Sequence, residues 1–283
     1  MSTWTPVSVC TLACLPRPAA VPRTAPARTL LRVCALIGLL LAAACGAPVL
    51  PLLAPARRSA SVRLLSRAAL RACGVRLVHL GEPGFAAGGD RGVLVVANHL
   101  SWLDIVALAA VQPPRMLAKR EIRDWPVIGA LAARLGTLFI DRAALRALPA
   151  VVDRVASVLA DGRVVALFPE GTTWCGAASG RFRRAGFQAA IDAGVPVRPA
   201  ALRMRLPDGS PTSVGAFLGE DTLAASLWRV LRLPGLTFEV HVLPALAPDL
   251  GLDRRELAGR AQAAIARALA LPEPQRHSSP SLV

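Results

Sequence analysis

Short apolar runs alternate with segments of helical spacing along most of this chain. The apolar runs fall at 75–80, 93–97, 115–118, 137–140, 163–168, 195–203 and 236–243, and they predict strands. Helix patterns occupy 102–111, 123–135, 144–160, 182–193, 221–232 and 253–271, with Pro149 blurring the start of the third. This alternation predicts an α/β layer architecture, a central mostly parallel or mixed sheet flanked by helices. Runs such as Val93-Leu94-Val95-Val96-Ala97 are apolar on consecutive residues, as expected of strands covered on both faces. Ligands in such folds gather beyond the strand ends.

The N-terminal quarter has a different pattern. Residues 1–28 are rich in Pro, Arg, Thr and Ala without periodicity and are expected to be a disordered extension, or to reflect an early start-codon assignment. Residues 33–56 carry no charge, a length that suits a membrane span. Gly46, Pro48, Pro51 and Pro55 interrupt it, so the helical part is expected from Leu30 to Cys45, ~24 Å at ~1.5 Å per residue and slightly short of a bilayer core. In 57–73, Arg63, Arg67 and Arg71 stack at four-residue spacing beside Leu64, Leu65, Ala68 and Ala72. Anionic headgroups would relieve their repulsion, which reads as an interfacial helix. Arg23, Arg28 and Arg32 flank the apolar run on its other side, so no positive-inside bias emerges. A single span and a re-entrant hairpin with both ends in the cytoplasm both fit. The expected organisation is an extension (1–28), a membrane-associated helical segment (29–74), a catalytic domain (75–271) and a disordered tail (272–283).

Composition narrows the partners. The chain has 283 residues, 54% apolar, with 33 basic against 18 acidic groups and a net charge of +15. Lys119 is its one lysine, an arginine bias that also fits a GC-rich genome. Such a chain could meet nucleic acid or an anionic membrane. Aromatics are only 4% and are not interleaved with the basic residues, so no nucleic-acid partner is expected and the membrane is favoured. Cys10, Cys14, Cys34, Cys45, Cys73 and Cys175 show no paired metal spacing. They read as packing residues in a reducing compartment, and no metal or resident cofactor is expected.

Four polar stretches sit at the ends of apolar runs. Asn98-His99-Leu100-Ser101-Trp102-Leu103-Asp104 follows the strand 93–97. On one continuous helix an offset of five residues is ~140°, so His99 and Asp104 meet only if His99 precedes the helix and Asp104 lies in its first turn. An Asp holding one imidazole nitrogen frees the other as a base. An ordinary helix start with an incidental His is the competing reading. Gly136-Thr137-Leu138-Phe139-Ile140-Asp141-Arg142 ends in an Asp-Arg pair, either a phosphate fork or a local ion pair. Phe168-Pro169-Glu170-Gly171-Thr172-Thr173 offers a carboxylate and hydroxyls, or a simple turn. Val195-Pro196-Val197-Arg198-Pro199-Ala200 reads only as an edge or irregular strand. There is no GxSxG, HExxH or P-loop.

In this order and spacing the four stretches resemble the glycerolipid acyltransferase family, in its bacterial 1-acyl-glycerol-3-phosphate acyltransferase branch, over roughly Val75 to Arg203. The NHxxxxD and FPEGT pair carries most of that resemblance. It implies that His99 is a general base and Asp104 its partner. It implies that Lys119, Arg142, Glu170, Gly171 and Thr172 hold the glycerol phosphate, and that Pro199 belongs to a block linked to the acyl donor. The reaction so implied is acyl transfer from an acyl-CoA or acyl carrier protein thioester to the sn-2 hydroxyl of 1-acyl-glycerol-3-phosphate, at a cell membrane, with the catalytic domain on the cytoplasmic side. Another lyso-lipid acceptor, such as a lyso-ornithine lipid, is the near alternative; a serine-dependent lipid hydrolase and a non-enzymatic membrane adaptor are the distant ones. Thr173-Trp174-Cys175 follows FPEGT where the family often continues with Arg or Ser, and Arg198 stands where an apolar residue is common. These departures leave the reaction type intact and bear on the acceptor headgroup.

Overall fold

The computed structural model describes residues 8–17, 21–86, 91–125, 128–141, 144–247 and 251–270. Strands β1 (Val75–Gly81), β2 (Val93–Ala97), β3 (Arg115–Lys119), β4 (Leu138–Ile140), β5 (Val164–Leu167), β6 (Val197–Arg205) and β7 (Leu236–Val242) form one sheet. Their order is β1-β7-β6-β2-β5-β3-β4. The neighbours from β6 to β4 are parallel. β7 is antiparallel to β6 and carries β1 parallel to itself at the edge. The sheet is therefore mixed, and every predicted strand is present with ends shifted by a residue or two. Among the helices are α1 (Pro26–Gly46), α2 (Pro55–Ala72), α3 (Leu103–Val111), α4 (Ile128–Arg134), α5 (Leu148–Ala160), α6 (Ala185–Asp192), α7 (Leu223–Leu231) and α8 (Arg254–Ala270).

The pleat of β2 explains why its whole sequence is apolar. Val93, Val95 and Ala97 point into a core shared with α3 and α7. Leu94 and Val96 point into the opposite core, shared with α5, α6 and α8. The chain leaves β2 for α3 on one face and leaves β5 for α6 on the other, although β2 and β5 are paired neighbours. Loops diverging from adjacent parallel strands open a crevice at their C-terminal edge, where ligands bind in such sheets.

Two elements sharpen or correct the expectation. The stretch around Pro199 reads as an edge or irregular strand; β6 lies in the middle of the sheet, so it is no edge, and the irregular alternative is the one found. Proline is tolerated there because the β6–β7 register slips by one residue between the Ala200–Val242 pair and the Val197–Leu246 bridge. The missing N–H falls in this irregularity, and the Pro199 carbonyl still accepts from Leu243 N at 2.9 Å. Part of the extension expected to be disordered is folded onto the domain. Leu12–Cys14 make a 3-10 turn, Cys10 is buried, and Ser213 Oγ donates to the Cys14 carbonyl at 2.7 Å. The tail at 272–283 lies outside the described residues.

α1 is long and apolar enough to cross a membrane, by length and composition, and exposes Leu30, Leu31, Ile37, Leu40 and Leu41. Its base is tied to the catalytic domain. Arg32 donates to the carbonyls of Leu231, Leu233 and Pro234 at 2.9, 2.5 and 3.2 Å. α2 returns the chain to the same body: it packs on α3, and Arg67 Nε donates to the Ala110 carbonyl at 2.9 Å. Arg67 thus works inward, which corrects the picture of three arginines presented together to headgroups.

Candidate active site

The motif residues after β2 are arranged around one carboxylate oxygen. Ala97 ends the strand, and Asp104 lies in the first turn of α3, fully buried. Asp104 Oδ2 accepts from Leu100 N at 2.6 Å and Ser101 N at 2.9 Å, and it meets His99 Nδ1 at 2.7 Å. The loop between strand and helix therefore wraps on the Asp side chain, which is how residues that would miss each other on one helix come together. Asp104 Oδ1 is buried with no hydrogen-bond partner among the described residues. The His99 side chain is 18% exposed and meets Asp104 only through Nδ1, so Nε2 is the nitrogen left for a substrate. The Phe168 ring lies parallel to the imidazole, with centroids 3.9 Å apart and planes 7° apart.

Asn98 fixes the base of this loop. Its side chain donates to the Leu202 carbonyl at 3.0 Å and accepts from Leu202 N at 2.8 Å. The amide extends the pairing of β2 with β6 beyond the end of the β2 strand. Ser101 is buried, and its hydroxyl accepts from Leu103 N at 3.0 Å, which is a helix-start role.

Glu170 has a different place from the one expected. It is buried rather than presented to a ligand. Its Oε2 accepts from His99 N at 2.6 Å and its Oε1 from Gly180 N at 2.8 Å. It braces the loop after β5 against the loop after β2. Burial pushes its carboxyl up to about 7; the two backbone N–H groups oppose that rise and the neighbouring Asp104 adds to it. Gly171 adopts φ +77°, the left-handed turn that reverses the chain immediately after the brace, and Thr172 beside it is half-buried. The reversed chain returns across the site: Trp174 N donates to the His99 carbonyl at 2.7 Å, and Thr173 Oγ1 donates to the Phe217 carbonyl. A cavity of about 40 Å³ lies behind Glu170, lined in part by Asn98, Trp174, Gln262 and Leu269.

Lys119 is exposed at the end of β3, two strand spacings or about 10 Å from β2. Asp141 follows β4 and lies 3.6 Å from Arg120. Arg142 lies outside the described residues. Pro199 is buried in β6 opposite Val96, beneath the site rather than at its mouth. Three contributors had no role assigned from sequence: Phe168, Trp174 and Gly180. Phe168 stands inside the motif itself, and that was the available signal. Trp174 and Gly180 act through contacts across the site that no local spacing encodes.

Comparison with known proteins agrees with this geometry. Residues 79–203 match the family model described as Acyltransferase. Over 177 residues the chain is 41% identical to a lyso-ornithine lipid O-acyltransferase of Pseudomonas aeruginosa, covering 62% of this chain and 67% of that one. Over 186 residues it is 39% identical to a 1-acyl-sn-glycerol-3-phosphate acyltransferase of Neisseria gonorrhoeae, covering 66% and 71%. The crystal structure of the 1-acyl-sn-glycerophosphate acyltransferase of Thermotoga maritima superposes with a TM-score of 0.61 at 21% identity, covering 84% of this chain and 96% of that one. That last likeness establishes the shared fold.

Proposed function

The chain belongs to the glycerolipid acyltransferase family, and from that premise we propose that it moves a fatty acyl group from a thioester to the sn-2 hydroxyl of 1-acyl-glycerol-3-phosphate, giving phosphatidic acid. The observation that carries the mechanism is the 2.7 Å contact of His99 Nδ1 with Asp104 at the mouth of the crevice. With Nδ1 held by the carboxylate, Nε2 takes the hydroxyl proton as the oxygen attacks the thioester carbon. The tetrahedral intermediate then expels the thiolate, which recovers the proton from His99. Asp104 orients the ring and stabilises the imidazolium formed on the way. Base catalysis of this kind contributes ~10²–10⁴-fold. Glu170 supports the ring indirectly, through the His99 backbone.

The donor is an acyl-CoA or an acyl carrier protein thioester, and no resident cofactor or metal takes part in the step. Lys119 and Arg142 are the cations assigned to the acceptor phosphate, and Thr172 and Gly171 its hydrogen-bonding neighbours. Pro199 is assigned to the region that meets the acyl donor. The second reading is a lyso-ornithine lipid acceptor, favoured by the 41% identity with the Pseudomonas enzyme. Both acceptors offer one free hydroxyl beside an acyl chain, so the same imidazole serves either.

The N-terminal hairpin supports a membrane site. α1 leaves the domain at Arg32 and α2 re-enters it at Arg67, so both ends stay with one body, and Val49 and Leu52 are exposed at the tip. That arrangement favours a hairpin dipping into one leaflet over a single span. We assign the catalytic domain to the cytoplasmic face of an anionic membrane as part of the same proposal. The acceptor panel is the test. Membranes containing the protein are supplied with a labelled acyl thioester and either 1-acyl-glycerol-3-phosphate or lyso-ornithine lipid. Labelled phosphatidic acid is expected, and labelled ornithine lipid in its place would transfer the assignment to the second reading.

A further inference from the structure

Three thiols from distant parts of the chain converge beside the catalytic loops. Cys10 and Cys14 come from the folded piece of the N-terminal extension. Cys175 directly follows Trp174, whose N–H holds the His99 carbonyl. The three sulfur atoms all lie within 4.8 Å of one another. Cys10 and Cys175 are buried, Cys14 is exposed, and all three are free thiols. Cys175 N donates to Cys10 Sγ at 3.4 Å, so the two buried members are in direct contact. Among the described residues this is the one group of three such side chains close enough to share an ion.

We propose that Cys10, Cys14 and Cys175 form a zinc site that fastens the N-terminal extension to the loop after the FPEGT motif. Thiolates ~2.3 Å from zinc at tetrahedral angles stand ~3.8 Å apart, so small rotamer shifts close the observed triangle. Soft sulfur ligands select zinc over magnesium or calcium, which require oxygen. Exposed Cys14 places the fourth coordination position at the surface, where water completes it. Packing alone accounts for two buried thiols but not for an exposed third one turned onto them. Binding displaces three thiol protons and leaves a singly negative thiolate–zinc centre in a chain of net charge +15. Cys10 and Cys14 form one short pair in the sequence, but no second pair completes a zinc pattern, because Cys175 lies 165 positions beyond Cys10.

The full-length protein in detergent, reduced and stripped of metal, is titrated with zinc chloride against a chromophoric chelator. One zinc per chain is expected, with a dissociation constant below about 1 µM. Cobalt(II) in its place should give sulfur-to-metal charge-transfer bands. Cys14→Ser, an exposed position that tolerates change, should weaken binding about 100-fold or more, on the scale of losing one thiolate ligand. Cys34→Ser, on exposed α1, should leave it unchanged. Absence of stoichiometric zinc uptake, or uptake that survives Cys14→Ser, overturns the site. So does a Cys10–Cys175 disulfide in protein isolated under anaerobic conditions, with no zinc bound after reduction.

Discussion

Replacing Glu170 with Gln separates its bracing role from its charge. Both carboxylate oxygens accept backbone N–H groups, from His99 and from Gly180. A glutamine has one acceptor oxygen and an NH₂ group, so one of those N–H groups must face another donor. An unmet buried donor costs about 1–3 kcal/mol. The charge acts in the opposite direction. With the folded carboxyl raised to about 7 from 4.5, the native state holds its proton longer than the unfolded chain does. Wild-type stability therefore falls as pH rises from 4.5 through 7, and is lowest above 7. Between pH 5 and pH 8 this one group removes about 2–3 kcal/mol, at about 1.4 kcal/mol per unit. Glutamine does not titrate and escapes that loss. The variant should thus be clearly less stable than wild type at pH 5, and the gap should narrow or close at pH 8. At about 2–4 °C per kcal/mol for a chain of this size, the difference in melting temperature should shrink by roughly 5–10 °C. Thermal unfolding in detergent at the two pH values reads this directly. A gap that stays constant or widens toward pH 8 refutes the buried-charge argument. The variant's turnover should fall about 10–100-fold, because His99 loses a backbone anchor.

Three other perturbations probe separate contacts. Asp104→Asn should cut turnover by about 10²–10⁴-fold with little change in KM, since the amide can no longer stabilise the imidazolium; a steady-state assay checks the split. Gly180→Ala would bring a methyl group within 2.6–2.7 Å of the Trp174 ring. It should therefore destabilise the fold by about 1–3 kcal/mol, read as a lower melting temperature. Arg32→Met abandons three carbonyls at the base of α1 and should speed proteolytic cleavage near residues 21–25 while leaving the domain core protected.

Much of this organisation is legible in the sequence, for physical reasons. Strands covered on both faces must be apolar on consecutive residues, so β2 and β5 declare themselves, and their C-terminal ends locate the site. The His99–Asp104 pair is readable because the turn between strand and helix leaves few arrangements open. Direction and long-range contact are not readable in this way. Glu170 has the composition of a ligand-binding residue, yet its side chain turns inward onto two backbone N–H groups. Pro199 argues for an edge or irregular strand by local rules, and only the register slip with β7 shows that it is the irregular one, in the centre. Residues 8–17 lack periodicity because tertiary contacts to Ser213 and Cys175 order them, with no helix or strand of their own beyond one 3-10 turn. Arg67 reads as a headgroup contact by its spacing, and only the packing of α2 on α3 shows that it meets a carbonyl.

The proton-abstracting histidine is tested most directly by single-turnover acyl transfer from a labelled thioester to 1-acyl-glycerol-3-phosphate, comparing wild type with His99→Ala. The variant should form product at least about 100-fold more slowly while melting within a few degrees of wild type, because the ring is partly exposed and carries little of the core. Product formation at near wild-type rate by a folded His99→Ala protein would contradict the account.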